Sequence, residues 1–372
     1  MNDRLLIATR KGLFILLRNG AGLWQQAPPH FAGEPVSVAL ADPRDGTLYA
    51  ALNLGHFGAK LWRSRDGGAH WEACAVPVYP PQPEAAEPPP PPAPDQPPPA
   101  PWSLQQIWAL EAGGGDRPGV LWAGTIPGGL FRSSDGGENW TLVRSLWDRP
   151  ERTQWFGGGY DHPGIHSICI DPRDSRHLTL AVSCGGVWQS ADDGDTWTCS
   201  AAGMVADYMP PERREDPVAQ DPHRLAQCAA QPEVLWVQHH NGIFRSTDSG
   251  LHWQRLHAQP SSFGFAVAAH PSDPDTAWFV PAVKDECRIP VDGRLVVTRT
   301  RDGGASFEAF DHGLPRAPAY DLVYRHGLAV DAGGSRLAMG STTGSLWLSE
   351  NGGEHWQCLT THLPPIHALR FG

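Results

Sequence analysis

The sequence predicts an all-β fold: one β-propeller of seven four-stranded blades over residues 1–372, closed by pairing the two chain ends in a single blade. Three observations predict it. A short motif recurs roughly every 50 residues, apolar runs of strand length fill the intervals, and the first and last runs are each an incomplete unit. The motif reads Ser64-Arg-Asp66-Gly-Gly68-Ala-His-Trp71 in its cleanest copy, and recurs from Ser133 to Trp140, Ser190 to Trp197 and Ser246 to Trp253. Worn copies run from Thr300 to Phe307 and from Ser349 to Trp356, and an outline survives between Gly12 and Trp24.

Each unit reads as strands A to D from the hub outward. In the fourth unit, 165–170 is A, 178–183 is B, 186–190 is C, and Trp197 opens D. Asp171-Pro-Arg-Asp174 supplies the A–B turn, as Asp42-Pro-Arg-Asp45 does earlier. The motif is the C–D turn. Its serine is short, its carboxylate can accept backbone N–H bonds, and its glycine is free to take φ > 0. The aromatic after the turn offers a large apolar surface to bury between neighbouring sheets. The chain opens on a B strand, 4–8, and ends on an A-like strand, 366–371, so the two halves complete the first blade. One segment breaks the rhythm: residues 77–101 hold 14 prolines in 25 positions and read as an extended inter-blade insertion. It is either a plain flexible insertion, or a lid or a docking segment for a proline-recognising protein partner.

A formal net charge of −11 and a pI near 5.8 argue against nucleic acid or an anionic membrane as partner. No run approaches the apolar length of a membrane helix. The first residues read directly as strand and turn, without the h-region of a signal peptide. Seven cysteines with no Cys-x-x-Cys pair read as free thiols. A cytoplasmic location is the expectation.

A–B and C–D turns leave one face of the ring; B–C and D–A loops leave the other. Twelve of the 17 histidines map to that second face. A carboxylate- and arginine-bearing set accompanies them, and loops on a rigid scaffold are where functional groups concentrate. The candidate catalytic residues are Asp161, His162, Asp221, His223, His239, His240 and Arg288. One imidazole of the His239–His240 pair suits general acid–base work, since successive strand residues point to opposite sides. His166, His326 and His367 each stand at the start of an A strand, and three imidazoles around the axis are candidate ligands for a divalent transition metal. Their alternative is hydrogen bonding to strand ends or to a polar substrate.

The pattern Ser-x-Asp-x-Gly-x-x-Trp resembles the Asp box, or BNR repeat, of the sialidase-like propellers, a likeness that covers nearly the whole chain and extends to WD40/YVTN-like repeat proteins. The resemblance implies that Asp66, Asp135, Asp192 and Asp248 are scaffold, because a group repeated in each blade serves the blade. It also implies where a sialidase would keep its first substrate-binding arginine, in a Phe/Tyr-Arg-Ile-Pro motif before the first box. The Arg-Ile-Pro of this chain is Arg288-Ile-Pro290, preceded by Cys287 and lying in the sixth blade, so an exo-sialidase ranks last. Arg10, Arg152, Arg213 and Arg316 also map to the loop face. Two function classes follow: a hydrolase or lyase acting on a polar small molecule or glycan, and a non-catalytic binding or assembly scaffold.

Overall fold

The computed structural model describes residues 3–82 and 101–372. Seven four-stranded antiparallel sheets follow one another around a central axis. Blade 1 joins the chain ends: Ile366–Phe371 pairs with Arg4–Thr9, placing Leu369 opposite Ile7 and Phe371 opposite Leu5, and Gly12–Arg18 and Trp24–Gln26 complete the sheet. The inner strands of blades 2 to 7 are Val36–Ala41, Gln106–Ala112, Ile165–Ile170, Pro222–Gln227, Gly264–Ala269 and Leu328–Val330. The one α-helix among the described residues is the single turn Arg144–Trp147.

The recurring motif closes six C–D turns with the same hydrogen bonds. Ser133 Oγ donates to Asp135 Oδ1 (2.8 Å) and accepts the Gly137 N–H (2.9 Å), while Asp135 Oδ1 accepts the Asn139 N–H (2.9 Å). The arrangement repeats at Ser64, Ser190, Ser246, Thr300 and Ser349. Gly137 sits at φ +92°, a conformation that a side chain would strain. The outline copy closes differently: Asn19 Oδ1 accepts the N–H groups of Ala21 and Leu23, both at 3.0 Å.

Burial is divided among the blade interfaces, as the repeat requires. One apolar cluster joins Trp122 of blade 3 to Ile165, Leu180, Trp188 and Trp197 of blade 4; another joins Leu5 and Ile7 of blade 1 to Leu346 and Leu348 of blade 7. The motif aromatics do not all bury equally. Trp197, Trp253 and Trp356 are buried, but Trp71 and Trp140 are half-buried, and Trp140 Nε1 donates to Ala75 O at 3.0 Å. All seven cysteines are free. Most of the proline-rich segment, 83–100, lies outside the described residues. Its flanks are anchored on blade 3: Tyr79 and Trp102 pack on Trp147 with ring centroids 4.9 and 5.2 Å away.

Candidate functional site

The A strands carry a repeated irregularity that decides where their first side chains go. The pairing register of A with B shifts between Val36 and Val38, Ile107 and Ala109, Ile165 and Ser167, and Pro222 and Arg224, and again beside His367. Each is a β-bulge, whose extra residue leaves the ladder and is re-aimed. The extra residues are Ser37, Trp108, His166, His223 and His367. Four of them reach a carbonyl of the following blade: His367 to Val36 O (3.0 Å), Ser37 to Ile107 O (2.9 Å), His166 to Pro222 O (2.7 Å) and His223 to Gly264 O (2.7 Å).

This corrects the expectation of a three-histidine metal site. His166 and His367 fasten neighbouring blades, and His326 Nε2 donates across the axis to His166 O at 2.7 Å. His166, His326 and His367 do not converge as a ligand group. Burial lowers all three pKa values, those of His166 and His326 well below the ordinary imidazole value. The axis itself is crossed by charge: Arg370 of blade 1 makes two bonds to Glu111 of blade 3, at 2.7 and 2.5 Å, and Arg224 donates to His166 O at 3.1 Å.

Above this plug, at the mouth formed by B–C and D–A loops, lies a basin of about 670 Å³. Three guanidinium groups line it, those of Arg10, Arg288 and Arg325, with Trp108, Tyr160 and Tyr324 as aromatic wall. None of its described lining residues is a carboxylate. Arg325 is 6% exposed, has no ion-pair partner among the described residues, and leaves its Nε without a hydrogen bond. Its Nη2 donates to Gly158 O at 2.9 Å, and the guanidinium lies over the Trp108 ring at 4.9 Å. Arg288 is tied by Asp285 (2.7 Å) and by the Tyr324 hydroxyl (3.3 Å), which outweigh burial and raise its pKa. The Gly157-Gly-Gly159 string lets the chain pass closely here: a Cβ on Gly158 would lie 2.6 Å from Cys184 Sγ and 2.8 Å from Ser183 Oγ.

Beside the basin, separated from it by Phe265 and Gly158, the fold brings together three of the expected residues. Asp221 Oδ2 lies 3.3 Å from His223 Nε2 and 3.4 Å from His240 Nδ1. The His223 ring stacks on Phe265 at 4.6 Å, and Asp221 Oδ1 accepts the Cys184 N–H at 3.1 Å. Burial opposes ionisation of Asp221, but the two histidines and Arg325 overcome it and hold its carboxyl well below the usual range. Burial likewise lowers His240, and the Asp221 carboxylate, with Asp285 and Glu286 behind it, reverses that and raises its pKa. His239 points the other way. Each ring nitrogen faces a backbone N–H, of Asp221 and of Asn241, both at 3.0 Å, and burial pushes its pKa down to about 3. His239 is therefore a buried neutral ring that can accept one of these two N–H groups in either tautomer, and His240 is the member of the pair that joins Asp221.

The remaining expected residues stand apart. Asp161 is exposed and His162 half-buried, next to Tyr160 but not lining the basin. Of the twelve histidines that the strand order maps to this face, His30 and His312 lie against motif turns of the following blade, beside Trp71 and His355. Of the arginines, Arg152 stacks on Trp147, Arg213 pairs with Asp216 and Arg316 with Asp311. Arg325, Trp108, Tyr160 and Tyr324 were not singled out by sequence. The signal for Arg325 was its place directly before His326, at the D–A junction already aligned.

No protein-family model matches the chain. Among curated relatives, the xyloglucanase Xgh74A of Acetivibrio thermocellus is 22% identical over 270 residues, covering 63% of this chain and 30% of that protein. The chain spans about a third or less of the length of the curated relatives it matches. Among solved structures, an ancestral GH74 enzyme superposes with a TM-score of 0.60 at 17% identity, over 87% of this chain and 38% of that one. YCF48 from Cyanidioschyzon merolae superposes with a TM-score of 0.57 at 14% identity, over 94% and 90% of the two chains. The fold is thus a seven-bladed propeller with GH74 xyloglucanase and YCF48 neighbours.

Proposed function

We propose that this chain is a glycan-acting propeller whose basin at the channel mouth takes an acidic sugar unit. One observation carries the reading: three guanidinium groups converge on a basin with no carboxylate in its described lining, and one of them, Arg325, is buried with no direct ion pair, the Asp221 carboxylate acting on it only from a longer distance. A buried guanidinium is costly unless an anion meets it, and its planar donors match a carboxylate two bonds at a time. Trp108 and Tyr160 offer apolar faces with a polar edge, suited to a sugar ring. Hydrolysis as the reaction is supported by the curated relatives, which are named xyloglucanases.

A second reading, binding without turnover, is favoured by the same lining. Most glycosidases work with two carboxylates flanking the bond to be cut, and the described basin lining supplies none. Calorimetry with glucuronate, N-acetylneuraminate and oligosaccharides ending in them, against neutral counterparts, tests the binding claim. Acidic ligands should bind, and Arg325→Gln should weaken them by a factor of about 10 or more, a lost charge-assisted bond being roughly 1.5–3 kcal/mol. Equal binding of neutral and acidic sugars, or unchanged binding in Arg325→Gln, would refute it. Product release from a bound acidic oligosaccharide decides between hydrolysis and simple binding.

A further inference from the structure

The Asp221–His223–His240 cluster is set around a point that calls for positive charge, which either a second proton on the His223 ring or a metal ion supplies. His223 Nδ1 lies 2.7 Å from Gly264 O, and a carbonyl only accepts, so Nδ1 carries the proton. In the neutral ring, Nε2 is then a lone pair, and it faces the Asp221 Oδ2 lone pairs at 3.3 Å. Both groups are buried, so water does not screen two acceptors set face to face. Something positive belongs between them. His240 Nδ1 addresses the same oxygen at 3.4 Å, and the three donor atoms all lie within 4.8 Å of one another.

These separations are longer than the 2.7–2.9 Å common for charge-assisted bonds. They match a different construction. Ligands about 2.0–2.1 Å from a tetrahedral zinc ion stand roughly 3.3–3.4 Å from each other. The surroundings have the outer shell such sites use, in which a carbonyl fixes the ligand's tautomer and a donor orients the carboxylate. Here Gly264 O fixes His223, and the Cys184 N–H holds Asp221 Oδ1. The bulge at Pro222 is what turns His223 towards Asp221, two residues back on the same segment. His240 is a quarter exposed and borders a groove of about 280 Å³ with Lys284, Asp285 and Glu286, so a fourth position opens to solvent.

We propose that Asp221, His223 and His240 form a zinc-type metal site, with three protein ligands and a fourth position open towards the Asp285–Glu286 groove. The site is separate from the arginine basin and was not among the expected metal ligands.

Full-length untagged protein, stripped with a chelator and dialysed, is titrated with Zn²⁺ and Co²⁺. Zinc should bind at one equivalent per chain, and Co²⁺ should give the visible bands of a four-coordinate ion. His240→Ala and Asp221→Asn should each weaken Co²⁺ binding by about 100-fold or more, while a cooperative melt shows the ring intact. His240→Gln serves if the alanine variant melts poorly. His70→Ala, on the opposite face, should bind as the parent does. The proposal is overturned if folded parent protein takes up neither ion, or if uptake is unchanged in His240→Ala, His240→Gln and Asp221→Asn. Nitrogen NMR showing both His223 ring nitrogens protonated in protein that refuses metal would also overturn it, a proton then filling the gap. Calorimetry of glucuronate binding to the metal-free protein reads the basin alone, so failure here and failure of the basin reading are told apart.

Discussion

Acidifying the protein from pH 7.5 to 5.5 should destabilise it, and two buried rings in the axial plug contribute a definable share. His166 is 0% exposed, with Nε2 on Pro222 O and Nδ1 on Ser167 Oγ, and the positive charge of Arg224 lies beside it. His326 spends its Nε2 proton on His166 O and is buried in the same plug. Both folded-state pKa values lie well below the ordinary 6.5, with burial the leading cause. The unfolded chain therefore takes up protons first, and stability is lost as pH falls below that value towards the folded pKa. One pH unit is worth about 1.4 kcal/mol per ring, so the two rings together remove about 2.7 kcal/mol between pH 7.5 and 5.5. Urea unfolding followed by tryptophan fluorescence at both pH values measures this. His326→Gln keeps an N–H donor for His166 O but no titrating ring, and its pH loss should be smaller by about 1.4 kcal/mol. His240, whose raised pKa acts in the opposite sense, and His239 are present in both proteins and cancel in the comparison. An equal pH loss in parent and variant would refute the assignment of His326 as a buried neutral ring.

Deleting 366–372 should abolish cooperative folding. Ile366, Leu369 and Phe371 are 2%, 6% and 7% exposed, and their burial contributes about 5–9 kcal/mol, comparable with the whole stability of a domain; an unchanged melt in the truncated chain would refute the closure. Trp197→Ala, at 4% exposure, should cost about 3–5 kcal/mol. Trp140→Ala should cost clearly less, about 1–2 kcal/mol, because that ring is half-buried and loses mainly one bond to Ala75 O. Urea midpoints of the two variants compare them directly, and equal losses would show that turn position and not burial sets the cost.

Architecture was legible in the sequence because the motif is local. Ser133, Asp135 and Gly137 bond within one turn, so their spacing survives as a readable string. The closure was legible for a related reason: half a blade at each end leaves one way to complete seven sheets. The site was less so, because what assembles it is not local. Arg288 comes from the B–C loop of blade 6, Arg10 from that of blade 1, and Arg325 precedes the A strand of blade 7. No spacing in the chain encodes that convergence. The alignment of His166, His326 and His367 was real, but repetition was read there as convergence. In a ring, equivalent positions face equivalent neighbours, so the His166 and His367 side chains meet the next blade, and His326 reaches only the backbone carbonyl of His166 across the axis and not its imidazole.

That rule separates scaffold from site among the histidines themselves. Ser37, His166, His223 and His367 occupy one kind of bulge and give one bond each to the following blade. For His166 the second ring nitrogen finds Ser167 Oγ, a hydroxyl that adapts to either role, and the ring is satisfied as structure. His223 departs at this point. Its second nitrogen meets a carboxylate that the Cys184 N–H, the D–A segment before blade 5 and the Gly158 crossing all hold in place. The blade-to-blade bond that makes His223 ordinary is also what fixes its tautomer, so the scaffold position supplies the orientation that the Asp221 cluster needs. A His223→Ser chain could keep the inter-blade bond, as Ser37 does in blade 2, yet it would remove the imidazole facing Asp221. Structure and site are thus divided between the two nitrogens of one ring.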